Sequence, residues 1–314
     1  MSEDPWIAKE ADSGVRLDKW LADASRLRSR KRAFDALTRG RIFLDETEQT
    51  PSDAGRPMSA GMVVRHWVDR PGSASRRAPR SVHGLEILFE DGEIIVLDKP
   101  AGLLTVPLPG RPEEPSLAAR IEEHWRSHRR REPLAVHRLD RDTTGVVVFA
   151  QTPSAWQELK GCFARREPLR RYLAVVLHRP KPASGTWRTP LRWDEERRVQ
   201  VVCKGDAEGA KTAETRYEVL ETFDDASLLA LQLVTGRQHQ VRVQAMGAGH
   251  PLLGERIYTG SGGMTLASAF GRQALHASKL GFPHPVSRKP VVFETPLPGD
   301  LNHLLQRLRG SKRS

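Results

Sequence analysis

Cysteine is nearly missing from this sequence: Cys162 and Cys203 are the only two in 314 residues, far apart and without CxxC spacing. Neither a disulfide framework nor a cysteine-rich zinc site is indicated. Long apolar runs are missing as well, since none approaches the roughly 20 residues of a membrane-spanning helix. The opening MSEDPWIAKEADSG is acidic and polar, unlike the basic-then-apolar order of a signal peptide. The cytoplasm is therefore the expected location. No internal repeat or true low-complexity segment is present. Acidic residues are outnumbered, with 39 Asp and Glu against 50 Lys and Arg, a net charge of +11. Such a surplus favours a polyanion, because fixed cations release the counterions condensed on a phosphate backbone.

What is present fits one large globular domain with a small companion, at 314 residues with 38% hydrophobic and 28% charged. In residues 1–68 the apolar Leu17, Trp20, Leu21 and Ala24 repeat at helical spacing. A second helix is predicted over Arg30 to Thr38, stopped by Gly40, with short strands at Ile42 to Leu44 and Met62 to Val64. Arg26, Arg28, Arg30, Lys31, Arg32, Arg39 and Arg41 crowd onto this unit. Residues 69–83, DRPGSASRRAPRSVH, have linker composition. Residues 84–314 mix strands and helices without the regular alternation of a doubly wound sheet, so the expected fold class is α+β.

Several strings carry candidate chemistry. His137-Arg138-Leu139-Asp140-Arg141-Asp142-Thr143-Thr144-Gly145 precedes the apolar run Val146 to Ala150, and a carboxylate held before a buried strand is rigidly placed. Taken alone, each Asp is more simply a turn cap. Thr235-Gly236-Arg237-Gln238-His239-Gln240-Val241-Arg242 follows the predicted strand Leu228 to Val234 and opens a helix. Its donors at a strand–helix junction suit a phosphate or a buried carboxylate. Tyr172 heads an apolar strand, for which core packing is the commoner explanation.

Two patterns are decoys. Gly205 to Thr212 nearly matches GxxxxGKT, but Ala210 stands where the backbone approach needs glycine, and a strand follows where a helix is required. It is expected to be a hairpin connection. His124 and His128 lack a third ligand, so a solvated helix face is the simpler account, and no metal or cofactor is implied.

Together the strings HRLDRDTTGVVVFA, RRYLAVV and TGRQHQVRVQAMGAGHPLLGERIY resemble, in this order, the three conserved blocks of the RluA family of pseudouridine synthases. ILFEDGEIIVLDKPAGLLTVP resembles the strand–turn–strand that opens their catalytic domain, and residues 15–64 are similar to an S-four-type RNA-binding domain. In that unit Asp45-Glu46 stand where Asn-Gly is usual. The resemblance implies a largely antiparallel catalytic domain behind a small α/β RNA-binding domain. It implies Asp140 as the catalytic residue, Arg242 as its ion-pair partner, and Tyr172 as the residue that stacks on the target base and could act as a base. Arg138 would flip out the nucleotide, Leu252 would wall the uracil, and His137, Arg237, His239 and Gln240 would contact substrate. RNA is the implied partner, ribosomal RNA favoured and transfer RNA open, and nothing demands more than a monomer. Thr144, Gln244 and Glu255 depart from the usual Ser, His and Asp, and are expected to bear on substrate detail and not on the Asp, Tyr or Arg roles.

Chemistry agrees with those roles. The ribose–N1 bond of uridine must break, the base rotate, and the ribose bond to C5. A carboxylate supports this as a nucleophile or as a base on a sugar proton, and a guanidinium favours its anion in a desolvated pocket. Two rivals remain: an RNA-binding protein without catalysis, supported by the Arg-rich start, and a hydrolytic glycosidase, which would want paired carboxylates and has only Asp140 and Asp142 near each other.

Overall fold

The computed structural model describes residues 5–38, 40–45, 47–49, 51–67, 80–82, 84–111, 113–126, 132–259 and 270–311. The chain divides between Arg80 and Ser81 into two compact units. Of the predicted linker, 80–82 form a strand and the rest lies outside the described residues. The basic run RSHRRR and His128 also fall there, apart from the backbone of Arg126.

The N-terminal unit is built from β1 (Trp6–Ile7), α1 (Leu17–Leu21), α2 (Arg30–Thr38), β2 (Ile42–Leu44), β3 (Thr47–Glu48) and β4 (Val63–His66). The strands pair in the order β1-β4-β2-β3. Leu17, Trp20, Leu21, Ala33, Leu37 and Ile42 form its core, each large side chain contributing roughly 1.5–3 kcal/mol of burial. Helix α1 is shorter than the spacing predicts: the chain turns after Ala22 and leaves Ala24 exposed. Arg26 is structural, stacked 3.6 Å from the Trp20 ring and paired with Asp12 and Asp23. Arg30, Lys31 and Arg32 instead stand exposed on α2. Asp45 serves the β2–β3 turn in place of asparagine by adopting φ 44° and accepting the Val63 N–H.

The C-terminal unit follows as β5 (Arg80–Val82), β6 (Leu85–Glu90), β7 (Ile94–Lys99), α3 (Leu117–Arg126), β8 (Leu134–Ala135), β9 (Thr144–Ala150), α4 (Pro153–Ala164), β10 (Leu169–Leu177), β11 (Ser184–Asp194) and β12 (Val199–Val202). Then come β13 (Lys211–Thr222), β14 (Ala226–Leu233), α5 (Gln240–Gly247), β15 (Leu275–Pro283), β16 (Pro290–Glu294) and α6 (Gly299–Ser311). One 12-stranded sheet runs β12-β11-β13-β14-β10-β15-β9-β7-β6-β5, with β16 on β15 and β8 on β9. Residues 203–210 are not a hairpin: β12 and β13 both pair with β11, so the segment crosses from one side of that strand to the other.

Described pairings between named strands are antiparallel apart from the parallel seam of β15 on β9, which joins His276 to Thr144 and Ala277 to Gly145. Strand β9 is buried on both faces. Val147 and Phe149 join a cluster with Leu117 and Ile121 of α3, while Val146 and Val148 pack with Ala155 and Leu159 of α4. This explains an unbroken apolar run where a one-sided strand would alternate. At the seam Gly145 takes φ 116°, and a Cβ there would lie 2.2 Å from the Ala277 carbonyl oxygen. Glycine is required there, at the second position of β9, just after the Asp140 loop.

Candidate active site

The loop 137–143 enters the seam of β9 and β15 and is held from behind by backbone contacts. The Thr105 hydroxyl donates to the Leu139 carbonyl at 2.8 Å and accepts the Leu139 N–H at 3.0 Å. Lys99, at the end of β7 and fully buried, donates to the carbonyls of Arg141, Leu103 and Pro100 at 2.7, 2.6 and 2.8 Å. Burial pushes its ammonium down to about 7, opposed by the nearby Asp142 and Asp140. Three acceptors nonetheless match the three N–H bonds of the protonated form. Arg272, anchored by Asp300, donates to the Asp142 carbonyl at 2.9 Å.

Facing the loop is the start of α5. Arg242 donates from Nη1 to Asp140 Oδ2 at 3.2 Å. Its other edge is gripped by Glu255, with Nε and Nη2 each 2.7 Å from a carboxylate oxygen. Arg242 is 6% and Glu255 1% exposed in side chain, so this is a buried charge cluster. Burial opposes charge on the guanidinium, but Glu255 and then Asp140 outweigh it and raise its pKa. Burial likewise opposes the Glu255 carboxylate, yet Arg242 and the N–H groups of Ile257 and Tyr258 hold it low. Asp140 Oδ1 accepts no hydrogen bond among the described residues; His239 Nε2 stands 3.8 Å away.

Asp140, Tyr172, Arg242, His239, Arg138, His137 and Arg237 all line one cleft of about 700 Å³, within the roughly 300–1,000 Å³ usual for ligand sites. Tyr172 lies within β10, not at its head, and is buried to 8% exposure. Burial pushes its phenol up to about 12, Arg170 opposing and Asp140 reinforcing. Such a phenol keeps its proton at neutral pH, so in the resting site it offers a ring face and a donor, not a base. Arg138 is exposed at the cleft and held by no ion pair among the described residues. His137 lines the cleft while its Nε2 accepts the Val148 N–H at 3.2 Å and its ring stacks on Phe163.

Two expected contacts fail. Leu252 is fully buried, bridged to Val176 and packed in the core; Leu233 and Leu275 form apolar wall of the cleft instead. Gln240 reaches the cleft, but its amide is consumed by Thr235, Glu214, Thr215 and the Arg237 N–H, so it holds the turn. The expectation for Glu255 is also corrected, because this residue chelates Arg242 and so bears on the Arg role directly. Gln244 meets its expectation only in lying away from Asp140, bonding Trp187, Ala213 and Thr215. Lys99, Thr105 and Tyr258 were not singled out by the sequence. Only the strings DKPAGLLT and GERIY, already inside the matching blocks, could have marked them. Both cysteines are free, and no group of three or more candidate metal ligands occurs among the described residues.

A basic cleft with one carboxylate paired to a buried arginine, beside a buried aromatic ring, suits a nucleobase-modifying enzyme. The comparisons agree. The family model of RNA pseudouridylate synthase matches residues 93–246. An uncharacterized RNA pseudouridine synthase of Synechocystis is 33% identical over 96% of this chain and 91% of its own length. The dual-specificity RNA pseudouridine synthase RluA of Escherichia coli is 41% identical over 68% of this chain and 93% of its own. Ribosomal large subunit pseudouridine synthase D of Zymomonas mobilis is 34% identical over 96% of both chains. Among solved structures, human RNA pseudouridylate synthase domain containing 4 superposes with a TM-score of 0.59 at 25% identity, covering 71% of this chain and 92% of that one. The class is that of isomerases converting uridine to pseudouridine in RNA. The chain belongs to the RluA family of these RNA pseudouridine synthases.

Proposed function

We propose that the cleft takes a uridine extruded from structured ribosomal RNA, in the cytoplasm, and isomerises it on Asp140 in a monomeric enzyme. The carrying observation is the 3.2 Å pair of Asp140 with Arg242 inside a cleft that also presents the Tyr172 ring. Arg242 engages Oδ2 and leaves Oδ1 as the oxygen available to the sugar. As a nucleophile, Oδ1 would bond C1′ as the C1′–N1 bond breaks; as a base, it would take a ribose proton. In either route the freed uracil turns and C5 bonds C1′, in the first as the Oδ1–C1′ bond breaks and in the second as Asp140 returns its proton to the ribose; the C5 proton is then lost and N1 gains one. A base inside a helix is out of reach and must be flipped, and an aromatic face holds it by stacking. Tyr172 has this role, and exposed Arg138 fills the space that the nucleotide leaves.

The N-terminal unit, with Arg30, Lys31 and Arg32 exposed on α2, is the proposed S-four-type docking surface for RNA structure. Long matches such as that to synthase D support a ribosomal target, because that relative is named for the large subunit.

The test compares wild type with Asp140→Asn on ribosomal RNA transcribed without modifications. The variant should lose pseudouridine formation by roughly 10⁴-fold or more, the order for removal of an essential catalytic group. RNA affinity should change less than about twofold, since the carboxylate contributes no phosphate contact. Wild type leaving every ribosomal uridine unmodified would refute the ribosomal target.

A further inference from the structure

Tyr258 lies outside the cleft, yet its side chain meets two members of the catalytic cluster and strand β12. Its ring lies under Arg242, with the guanidinium carbon 5.3 Å from the centroid. Its hydroxyl accepts the N–H of Gln200 on β12 at 2.9 Å and contacts His239 Nδ1 at 2.8 Å. Residue 239 sits at the N-cap of α5 in the left-handed conformation, φ 53°, which aims its ring between Tyr258 and Asp140.

The proton count fixes the direction of this chain. The backbone N–H of Gln200 can only donate, so the phenolic oxygen accepts there. Among the described residues, the phenol's single proton then has His239 Nδ1 as its acceptor. Donation in the opposite sense would leave a buried hydroxyl proton without an acceptor. An imidazole that accepts at Nδ1 carries its proton on Nε2, the atom 3.8 Å from Asp140 Oδ1. In the other tautomer, Asp140 would face a lone pair and be repelled.

We propose that Tyr258 is a positioning residue: its hydroxyl sets His239 as the Nε2–H tautomer, so that a neutral donor faces Asp140 Oδ1 and orients the oxygen left free by Arg242. The two carboxylate oxygens are then controlled separately, Oδ2 by a fixed cation and Oδ1 by a neutral N–H close enough to steer it. The absence of a full bond in the resting site leaves Oδ1 able to react. The hydroxyl also connects this control to the β11–β12 hairpin, whose Trp193 meets the His239 ring edge-on at 6.2 Å.

This inference rests on the isomerase reading of the cleft. Two measurements test it. Nitrogen NMR of protein labelled at histidine reads the tautomer without RNA: a proton on Nε2 of His239 is expected, and one on Nδ1 overturns the proposal. Single-turnover pseudouridine formation on unmodified ribosomal RNA then tests the consequence. Tyr258→Phe keeps the ring under Arg242 and should slow the step about tenfold, the scale of one hydrogen bond, with RNA affinity unchanged within about twofold. His239→Ala should slow it at least as much, and adding Tyr258→Phe to it should change nothing more, the signature of action through one residue. His239→Gln, which keeps an N–H near the Nε2 position, should recover part of the rate and be insensitive to Tyr258→Phe. Equal losses from Tyr258→Phe with and without His239 would overturn the relay, as would a fully active Tyr258→Phe. Thermal melting shows whether each variant is folded. A wild type that makes no pseudouridine counts against the isomerase reading, while the tautomer measurement still decides the hydrogen-bond chain.

Discussion

The Asp140 loop has two unlike sides. In front, Arg242 meets it with a charge that Glu255 shares, a cluster of one cation and two carboxylates. Behind, Lys99 meets it with a charge that, among the described residues, is hydrogen-bonded by main-chain carbonyls and by no carboxylate. Both cations are buried, but burial is overcome at Arg242 and dominates at Lys99. The difference separates two tasks. A guanidinium chelated on one edge is an immovable cation with one free edge for the reacting carboxylate. An ammonium with radial donors ties three chain segments together and so fixes where that carboxylate stands.

Breaking the front should have the largest effect. Arg242→Met removes the partner of Asp140 and strands Glu255 in the interior. Loss of one member of a buried pair costs about 3–5 kcal/mol, so denaturant unfolding should show a drop of that order, and pseudouridine formation should vanish. Replacing Arg242 and Glu255 together by Met should restore most of the stability without restoring activity. Stability that stays low in the double variant would mean that the cluster holds the fold by more than its own charges.

Breaking the back should act first on stability. Lys99→Met leaves three carbonyls without their donor, a cost of roughly 3 kcal/mol, and the displaced loop should slow catalysis about 100-fold, as ångström-scale misplacement does. The pH dependence sharpens the contrast. The Lys99 ammonium is lowered to about 7 in the folded protein, against about 10.4 in an unfolded chain. Between those values the unfolded state binds more protons, so wild-type stability rises with pH there, and this contribution is lost as pH falls through 7. Lys99→Met lacks that rise, so the gap between the two proteins should widen from pH 7 to 10. Arg242, charged throughout, should show no such window.

These two sides were unequally legible in the sequence. The front is a motif: Asp140 and Arg242 lie in strings specific enough to be paired across about 100 residues. Glu255 was visible only as a departure, because its partner is defined by a turn that follows α5 and not by spacing. The back contacts main-chain oxygens, which leave no trace in side-chain identity, so Lys99 and Thr105 read as part of an ordinary strand and turn. Leu252 shows the reverse error, since an apolar residue in a matching block carries no mark of whether it faces a cleft or the core. The fold class followed from the irregular order of strands and helices, and β9 from its apolar run. Strands β11 and β15 went unread because Pro190, Lys279 and Gly281 interrupt the usual strand pattern.

The smallest effect should come where β9 leaves the loop. Thr144 stands in place of the usual Ser, and its hydroxyl lies 2.9 Å from Nδ1 of the fully buried His276. The other ring nitrogen faces the Thr295 carbonyl at 3.3 Å. A carbonyl can only accept, so Nε2 carries the proton and Nδ1 accepts from Thr144. Burial pushes this imidazole down to about 4, so its stability contribution is complete above about 6.5 and is lost as pH falls through 4. Thr144→Val keeps the volume and removes the donor, and should cost about 1–2 kcal/mol at pH 7. Thr144→Ser keeps the donor and loses one methyl, about 0.8 kcal/mol at most. Neither should alter the rate of pseudouridine formation beyond about twofold, because the hydrogen bond is spent on the β9–β15 seam and not on the carboxylate. If Thr144→Val slowed the chemistry while the protein stayed folded, the seam would have to be counted with the front of the loop.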